Sequence, residues 1–225
     1  GQLTAGVEGG AIAGAGIPGS ASNLYYGCDV SFYNVSDNSY ANYTTSDDSG
    51  ANYSLLDFKR MKADGCDFVI LRMGSSDSSG YYTDPHFFTM YNMAREAGMD
   101  VGAYFYSYAM SESEAIAEAK YVISVLDANN MYFEYPIYID IEESSQIALG
   151  STAVSSIAKA WCETMYDAGY FPGIYGAYNL FNILTTEMQE GYDLWLAYIS
   201  NSDGSVPTPE TDNISDDAGV WQFTF

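Results

Sequence analysis

Basic residues are scarce. The chain of 225 residues carries seven Lys and Arg against 30 Asp and Glu, a formal net charge of −23. No basic face is available to replace counterions on a phosphate backbone, so nucleic acid is excluded as a partner. Anionic membrane surfaces are disfavoured for the same reason. A surface this acidic favours a soluble monomer. Histidine is scarcer still, because His86 is the only one. A histidine-rich metal site is therefore excluded, and no metal or cofactor is expected. A Ser–His–acid or Cys–His centre would have to use that one residue, and no Gly-x-Ser-x-Gly elbow occurs. His86 sits in Asp84-Pro-His-Phe87, at a predicted helix start, and reads as structural.

No apolar run approaches the roughly 20 residues a membrane helix needs, so no membrane insertion is expected. The three cysteines, Cys28, Cys66 and Cys162, cannot all pair within the chain. Their spacing matches no zinc or redox motif. Buried free thiols are expected, with Cys28 and Cys66, each beside a predicted strand, as candidate neighbours. The acidic stretches at Asp47-Asp48 and Asp212–Asp217 lack a complete calcium-loop pattern and read as solvated loops.

What the chain has is apolar and aromatic surface. Nearly half its residues (48%) are hydrophobic, enough for one sizeable core, and 22 are Tyr. A Tyr side chain joins an apolar ring to a polar tip, which suits sugar faces and wet clefts. Residues 1–24 begin with a run rich in Gly, Ala and Ser and lack the basic start of a signal peptide. They read as a linker or a processed N-terminal segment.

From residue 25 onward, strand and helix patterns alternate. Strands are predicted at 26–30, 67–73, 101–108, 136–142, 172–176, 194–199 and 220–224. Helices are predicted at 53–64, 85–97, 111–126 and 153–168, with Gly65, Gly98 and Gly169 as stops after three of them. The segments 36–50 and 74–80 are polar or glycine-rich and read as loops. Continuous apolar strands between helices indicate a parallel sheet buried on both faces. No glycine-rich phosphate turn follows the first strand, which argues against an open dinucleotide-binding sheet. The expected fold is α/β, an irregular TIM-like barrel of about eight strands and about five helices.

Active sites of such barrels lie at the C-terminal ends of the strands. The polar residues predicted there are Asp29, Arg72, Tyr104, Tyr106, Asp140, Glu142, Tyr175, Tyr198 and Gln222. Asp140 and Glu142 end the run Tyr135-Pro-Ile-Tyr-Ile-Asp-Ile-Glu142, and their spacing points both toward one face. Neighbouring carboxylates raise the pKa of at least one, as a general acid near neutral pH requires. Glycosidases need such a donor and a partner that supports charge at the anomeric carbon. The alternative for this pair is a solvated strand end or a structural ion pair. Arg72 would pair with one of the acids. Asp29 alone fits a turn cap as well as it fits catalysis.

Several of these segments, taken together and in order, resemble a known family. They are Gly27-Cys-Asp-Val-Ser31, Gly65-Cys-Asp-Phe-Val-Ile-Leu-Arg72, Ala97-Gly-Met-Asp-Val-Gly-Ala-Tyr104, Ile139-Asp-Ile-Glu142, Gly173-Ile-Tyr175, Leu194-Trp-Leu-Ala197 and Trp221-Gln-Phe-Thr224. Over residues 25–225 they resemble the glycoside hydrolase family 25 lysozymes, the Chalaropsis-type muramidases. The resemblance implies a catalytic barrel that hydrolyses the β-1,4 bond between N-acetylmuramic acid and N-acetylglucosamine. Its partner would be peptidoglycan glycan strands, and its location secreted or cell-wall associated. Glu142 would be the general acid, Asp140 would orient or polarise the substrate's N-acetyl group, and Asp29 would be a supporting acid. Arg72, Tyr104, Tyr106, Tyr175, Tyr198 and Gln222 would bind substrate.

The sequence departs from the family pattern in two places. A further acid is common near the C-terminus, whereas this sequence stops at Phe225, and the third strand reads Tyr104-Phe-Tyr106 where Tyr-His is frequent. Two alternatives remain at this point. One is a non-hydrolytic cell-wall binding module, and the other a hydrolase of another N-acetylated glycan such as chitin.

Overall fold

The computed structural model describes residues 2–7, 24–34, 41–46, 52–77, 79–197 and 219–222. Its strands are β1 (Gln2–Val7), β2 (Leu24–Val30), β3 (Ala41–Ser46), β4 (Asn52–Leu56), β5 (Phe68–Asp77), β6 (Gly80–Thr83), β7 (Asp100–Tyr106), β8 (Ile137–Asp140), β9 (Pro172–Ala177), β10 (Asp193–Ala197) and β11 (Val220–Gln222). Its helices are α1 (Phe58–Ala63), α2 (Phe87–Glu96), α3 (Glu112–Ala128), α4 (Ser144–Ile147), α5 (Ser151–Asp167), α6 (Tyr178–Phe181) and α7 (Thr186–Gly191).

Nine strands form one sheet in the order β2-β1-β11-β10-β9-β8-β7-β5-β6. β2 also pairs in parallel with β5, Asp29 opposite Ile70, so the sheet curls back toward its starting strand. The run from β5 through β7, β8, β9 and β10 to β11 is parallel throughout. The result is an α/β fold with a curled, largely parallel sheet. Its counts, eleven strands and seven α-helices among the described residues, exceed the eight and five expected.

The extra elements are the ones local pattern hides. Gln2–Val7, within the segment read as a linker, pairs antiparallel with β2 and β11. Ala41–Ser46, within the predicted loop 36–50, pairs with Asn52–Leu56, which the predicted helix 53–64 had included. Only Phe58–Ala63 of that helix forms, capped by the Asp57 side chain accepting from Arg60 N. Thr and Tyr favour extended backbone, and in this hairpin they outweigh the Asn, Ser and Asp around them. The predicted loop 74–80 is also a hairpin, with β5 running on to Asp77 and returning through β6. α4, α6 and α7 are too short to show a helical period. The glycine stops form as expected, with φ of 98°, 73° and 89° at Gly65, Gly98 and Gly169.

Period-two alternation along the strands separates two cores. Val69, Leu71, Met73, Val101, Ala103, Ile137, Ile139 and Ile174 pack outward against the helices, together with Leu56, Phe58 and Met61. Phe68, Ile70, Tyr138, Tyr175, Trp195 and Val220 fill the concave interior. The interior accepts such large rings because glycine lies opposite them. A Cβ on Gly27 would meet the Phe68 ring at 2.4 Å, and one on Gly173 the Tyr138 ring at 2.5 Å. Burying each large side chain contributes about 1.5–3 kcal/mol, so the inner layer stabilises the curl as well as flooring the site. Among the described residues, no helix is long and apolar enough to cross a membrane.

Candidate active site

One register row crosses four strands at the sheet's C-terminal edge. Tyr106 on β7 pairs with Asp140 on β8, Asp140 with Tyr175 on β9, and Tyr175 with Trp195 on β10. These four residues line an open cleft of about 510 Å³ with Asp29, Ser31, Tyr33, Asn34, Arg72, Tyr104, Tyr108 and Glu142. That volume lies in the range of small-ligand sites. Seven of the nine candidate residues thus line one cleft. Gln222 stands behind it, fully buried, and Tyr198 lies outside the described residues.

Asp140 ends β8 and is 2% exposed. Burial drives its pKa well above the usual carboxylate range, and Glu142 adds to this, while Arg72 opposes it. Its Oδ1 has no hydrogen-bond partner among the described residues. Glu142 lies two residues on, past the end of β8, and is exposed. The walls around its carboxyl still desolvate it enough to raise its pKa. The Tyr175 hydroxyl pulls the other way, and Glu143 adds to the rise. That hydroxyl donates to Gln222 Oε1 at 2.7 Å, so its support to Glu142 is secondary. One strand end therefore presents two different acids: Asp140 buried in the floor of the cleft, Glu142 open to solvent.

Asp29 approaches from β2 on the other side. Burial raises its pKa well above normal, with Glu142 contributing in the same direction. Gln222 Nε2 donates to its Oδ2 at 3.3 Å. Three carboxyl groups in one cleft, each with its pKa raised by burial, make a site biased toward the protonated forms.

Arg72 is the cation lining this cleft, and it forms no ion pair within 4 Å among the described residues. Its guanidinium donates to the Tyr82 hydroxyl at 3.1 Å. The rings of Phe32, Tyr33, Tyr82 and Tyr106 stand 5.6–5.9 Å from its carbon. The expected direct pairing with an acid is thus replaced by an aromatic surround, and the cost of burying the cation is opposed by Tyr104, Tyr82 and Asp84. Tyr104 is held protonated by burial and by Asp29 and Asp140. Tyr106 donates to Glu143 Oε1 at 2.7 Å, tying the β7 end to the turn after Glu142.

Sequence reasoning missed Ser31, Tyr33, Asn34, Tyr108 and Trp195 as lining residues. Trp195 was open to discovery, since alternation along Leu194-Trp-Leu-Ala197 turns it to the face opposite its neighbours. Ser31, Tyr33 and Asn34 follow β2 in a tight turn, where Ser31 N donates to Asn34 Oδ1 at 2.8 Å. Among the described residues, no group of three or more His, Cys, Asp or Glu is placed to hold a metal ion.

The fold is shared with solved structures. The modular autolysin LytC from Streptococcus pneumoniae matches with a TM-score of 0.58 and 23% identity, over 79% of this chain and 38% of that one. A muramidase from Trichobolus zukalii matches with a TM-score of 0.56 and 22% identity, over 80% of each chain. A bacterial lysozyme from Streptomyces coelicolor matches with a TM-score of 0.55 and 20% identity, over 81% of this chain and 77% of that one. The chain spans about two-fifths of the length of the autolysin. No curated protein matches it significantly. The family model for glycosyl hydrolases family 25 matches residues 47–225, most of the chain, and the protein belongs to that family.

Proposed function

We propose that the protein is a muramidase, hydrolysing the β-1,4 bond between N-acetylmuramic acid and N-acetylglucosamine in bacterial peptidoglycan. The observation that carries this reading is Glu142, an exposed carboxyl with a raised pKa at the rim of a cleft walled by Tyr and Trp. A glycosidase acid must be protonated at working pH and must reach the leaving oxygen, and these properties fit both needs. Family membership and a fold shared with an autolysin, a muramidase and a lysozyme support the same reading.

Glu142 donates its proton to the glycosidic oxygen as the bond breaks. Asp140, fixed in the floor beside it, orients the N-acetyl group of the sugar whose anomeric carbon reacts. Asp29 supports the developing positive charge from the opposite wall. Tyr104, Tyr106 and Tyr175 present ring faces and hydroxyls to the glycan, and Arg72 supplies a cation for its anionic substituents. Gln222 positions Asp29, and Tyr198 completes the substrate contacts. The catalytic unit spans residues 25–225, and β1, from the segment before it, adds a strand to its sheet. The enzyme acts as a monomer, secreted or associated with the cell wall.

Digestion of purified peptidoglycan with release of new reducing ends tests the proposal. Activity is expected from the wild type and not from Glu142→Gln. Glycan binding without cleavage across pH 4–8, the span for a perturbed carboxyl acid, would instead identify a binding module.

A further inference from the structure

Cys28 and Cys66 lie on opposite sides of the β2–β5 pairing, with their Sγ atoms 3.7 Å apart. Both are free thiols in this structure, as is Cys162. The separation is a contact rather than a bond, which would need about 2.0 Å. Both backbones are held. Gly27–Val30 runs in register with Phe68–Leu71. Asp67 N donates to Tyr26 O, and Cys66 N to Met61 O at 3.0 Å. Closing the gap therefore falls to the side chains.

We propose that Cys28 and Cys66 are a disulfide-forming pair, a covalent tie between β2 and the segment entering β5. The two thiols are unlike, which sets the order of reaction. Cys28 is buried, and its pKa is pushed well up by its contact with Cys66 and then by burial. Cys66 is half-buried, and the same contact lowers its pKa, with Lys62 helping. Cys66 is thus the more accessible thiol and the more readily ionised of the two.

The oxidant is a small-molecule disulfide such as oxidised glutathione. Cys66 Sγ attacks one of its sulfurs, forming a mixed disulfide and expelling one glutathione thiolate. Cys28 then loses its proton and attacks Cys66 Sγ, and the second glutathione leaves as thiolate. Two protein thiols are oxidised to one disulfide, and one disulfide is reduced to two thiols.

The resulting ring encloses residues 28–66, which include Asp29 and the Ser31, Tyr33 and Asn34 wall of the cleft. Asp29 is the residue after Cys28, so its side chain points to the opposite face of β2. Cys28 belongs to the outer core, away from the cleft. The tie therefore forms without entering the cleft and stiffens the strand that carries Asp29. Closing a loop of this size raises Tm by about 5–15 °C.

The test exposes folded wild-type protein to a glutathione redox series, followed by denaturation, alkylation and peptide mapping. A Cys28–Cys66 linked peptide, Cys162 left alkylatable, and a higher Tm in the oxidised form are expected. Cys162→Ser should behave as the wild type, and Cys28→Ser should trap glutathione on Cys66. Cys66→Ser, altered at the half-buried position, should form no intramolecular bridge. Three alkylatable thiols in folded wild-type protein at the oxidising end of the series would overturn the proposal. So would a bridge that uses Cys162.

Discussion

Gln222 donates from Nε2 to Asp29 Oδ2 at 3.3 Å across a sequence separation of 193 residues. The same side chain accepts from the Tyr175 hydroxyl at 2.7 Å on its Oε1. One buried amide thus holds an acid on β2 and a phenol on β9, two walls of the cleft. Gln222→Leu removes both contacts at similar volume and leaves buried polar atoms without them. Stability is expected to fall by about 1–3 kcal/mol. The kcat on peptidoglycan should fall by roughly 10-fold or more, with KM changed less. Reducing-end assays with thermal melts check both.

Glu142→Gln keeps the size and polarity of the side chain but cannot supply the proton. A loss of kcat of roughly 10²–10⁴-fold is expected, the scale of general acid catalysis. Because Glu142 is exposed, the melting temperature should stay close to that of the wild type. Unchanged activity would refute the assignment of the acid.

The pH profile follows from the same carboxyl. Burial of its surroundings raises the Glu142 pKa. The alkaline limb of kcat/KM should therefore fall with a midpoint above the ordinary Glu value of about 4.3. Rate measurements between about pH 3 and 9 would show it. An alkaline midpoint at or below the ordinary value would be inconsistent with a donor in a desolvated cleft.

Much of this site was legible in the sequence, and the part that was not has physical reasons. Asp140 ends β8, and Asp29, Arg72 and Tyr175 lie at or near the ends of the apolar runs in their strands, so those runs located them, although β5 continues past Arg72 to Asp77. Ser31, Tyr33 and Asn34 lie beyond a strand end in a turn that tertiary contacts place, including Phe32 N donating to Asp84 Oδ2 at 3.0 Å. No short-range pattern predicts that contact. The β3–β4 hairpin was hidden because its polar residues resemble a loop until a partner strand is present. β1 was hidden because its partners, β2 and β11, come later in the chain, β11 near its end.

Glu118 fastens the far side of the same rim. Its buried carboxylate accepts from Ser76 Oγ at 2.6 Å, Ser107 Oγ at 2.6 Å and Tyr108 N at 3.1 Å. Gln146, three residues past Glu143, donates to Ala109 O at 3.1 Å and reaches Ser107 Oγ at 3.4 Å. Glu118→Ala strands three donors in a dry pocket, at a cost of about 3 kcal/mol or more. Chemical denaturation checks the stability. Any loss of activity should be accompanied by a loss of order around Tyr108, readable by hydrogen exchange.

Asp193 tests the floor of the fold by its charge. It starts β10 and accepts from the Tyr138 hydroxyl at 2.9 Å. Burial pushes its pKa up to about 6, against the pull of that hydrogen bond. In the unfolded chain the same carboxyl titrates near the ordinary value of about 3.9. Between those values the folded protein keeps a proton that the unfolded chain has released. Stability from this group is therefore full below about pH 4, falls as pH rises toward 6, and stays reduced above it. Asp193→Asn retains an acceptor for Tyr138 and removes the titration. It should gain on the order of 1–2 kcal/mol over the wild type at pH 7–8, and little at pH 4. Urea unfolding of both proteins across that range would measure it. A gain equal at both ends would mean that the substitution acts through packing and not through the buried charge.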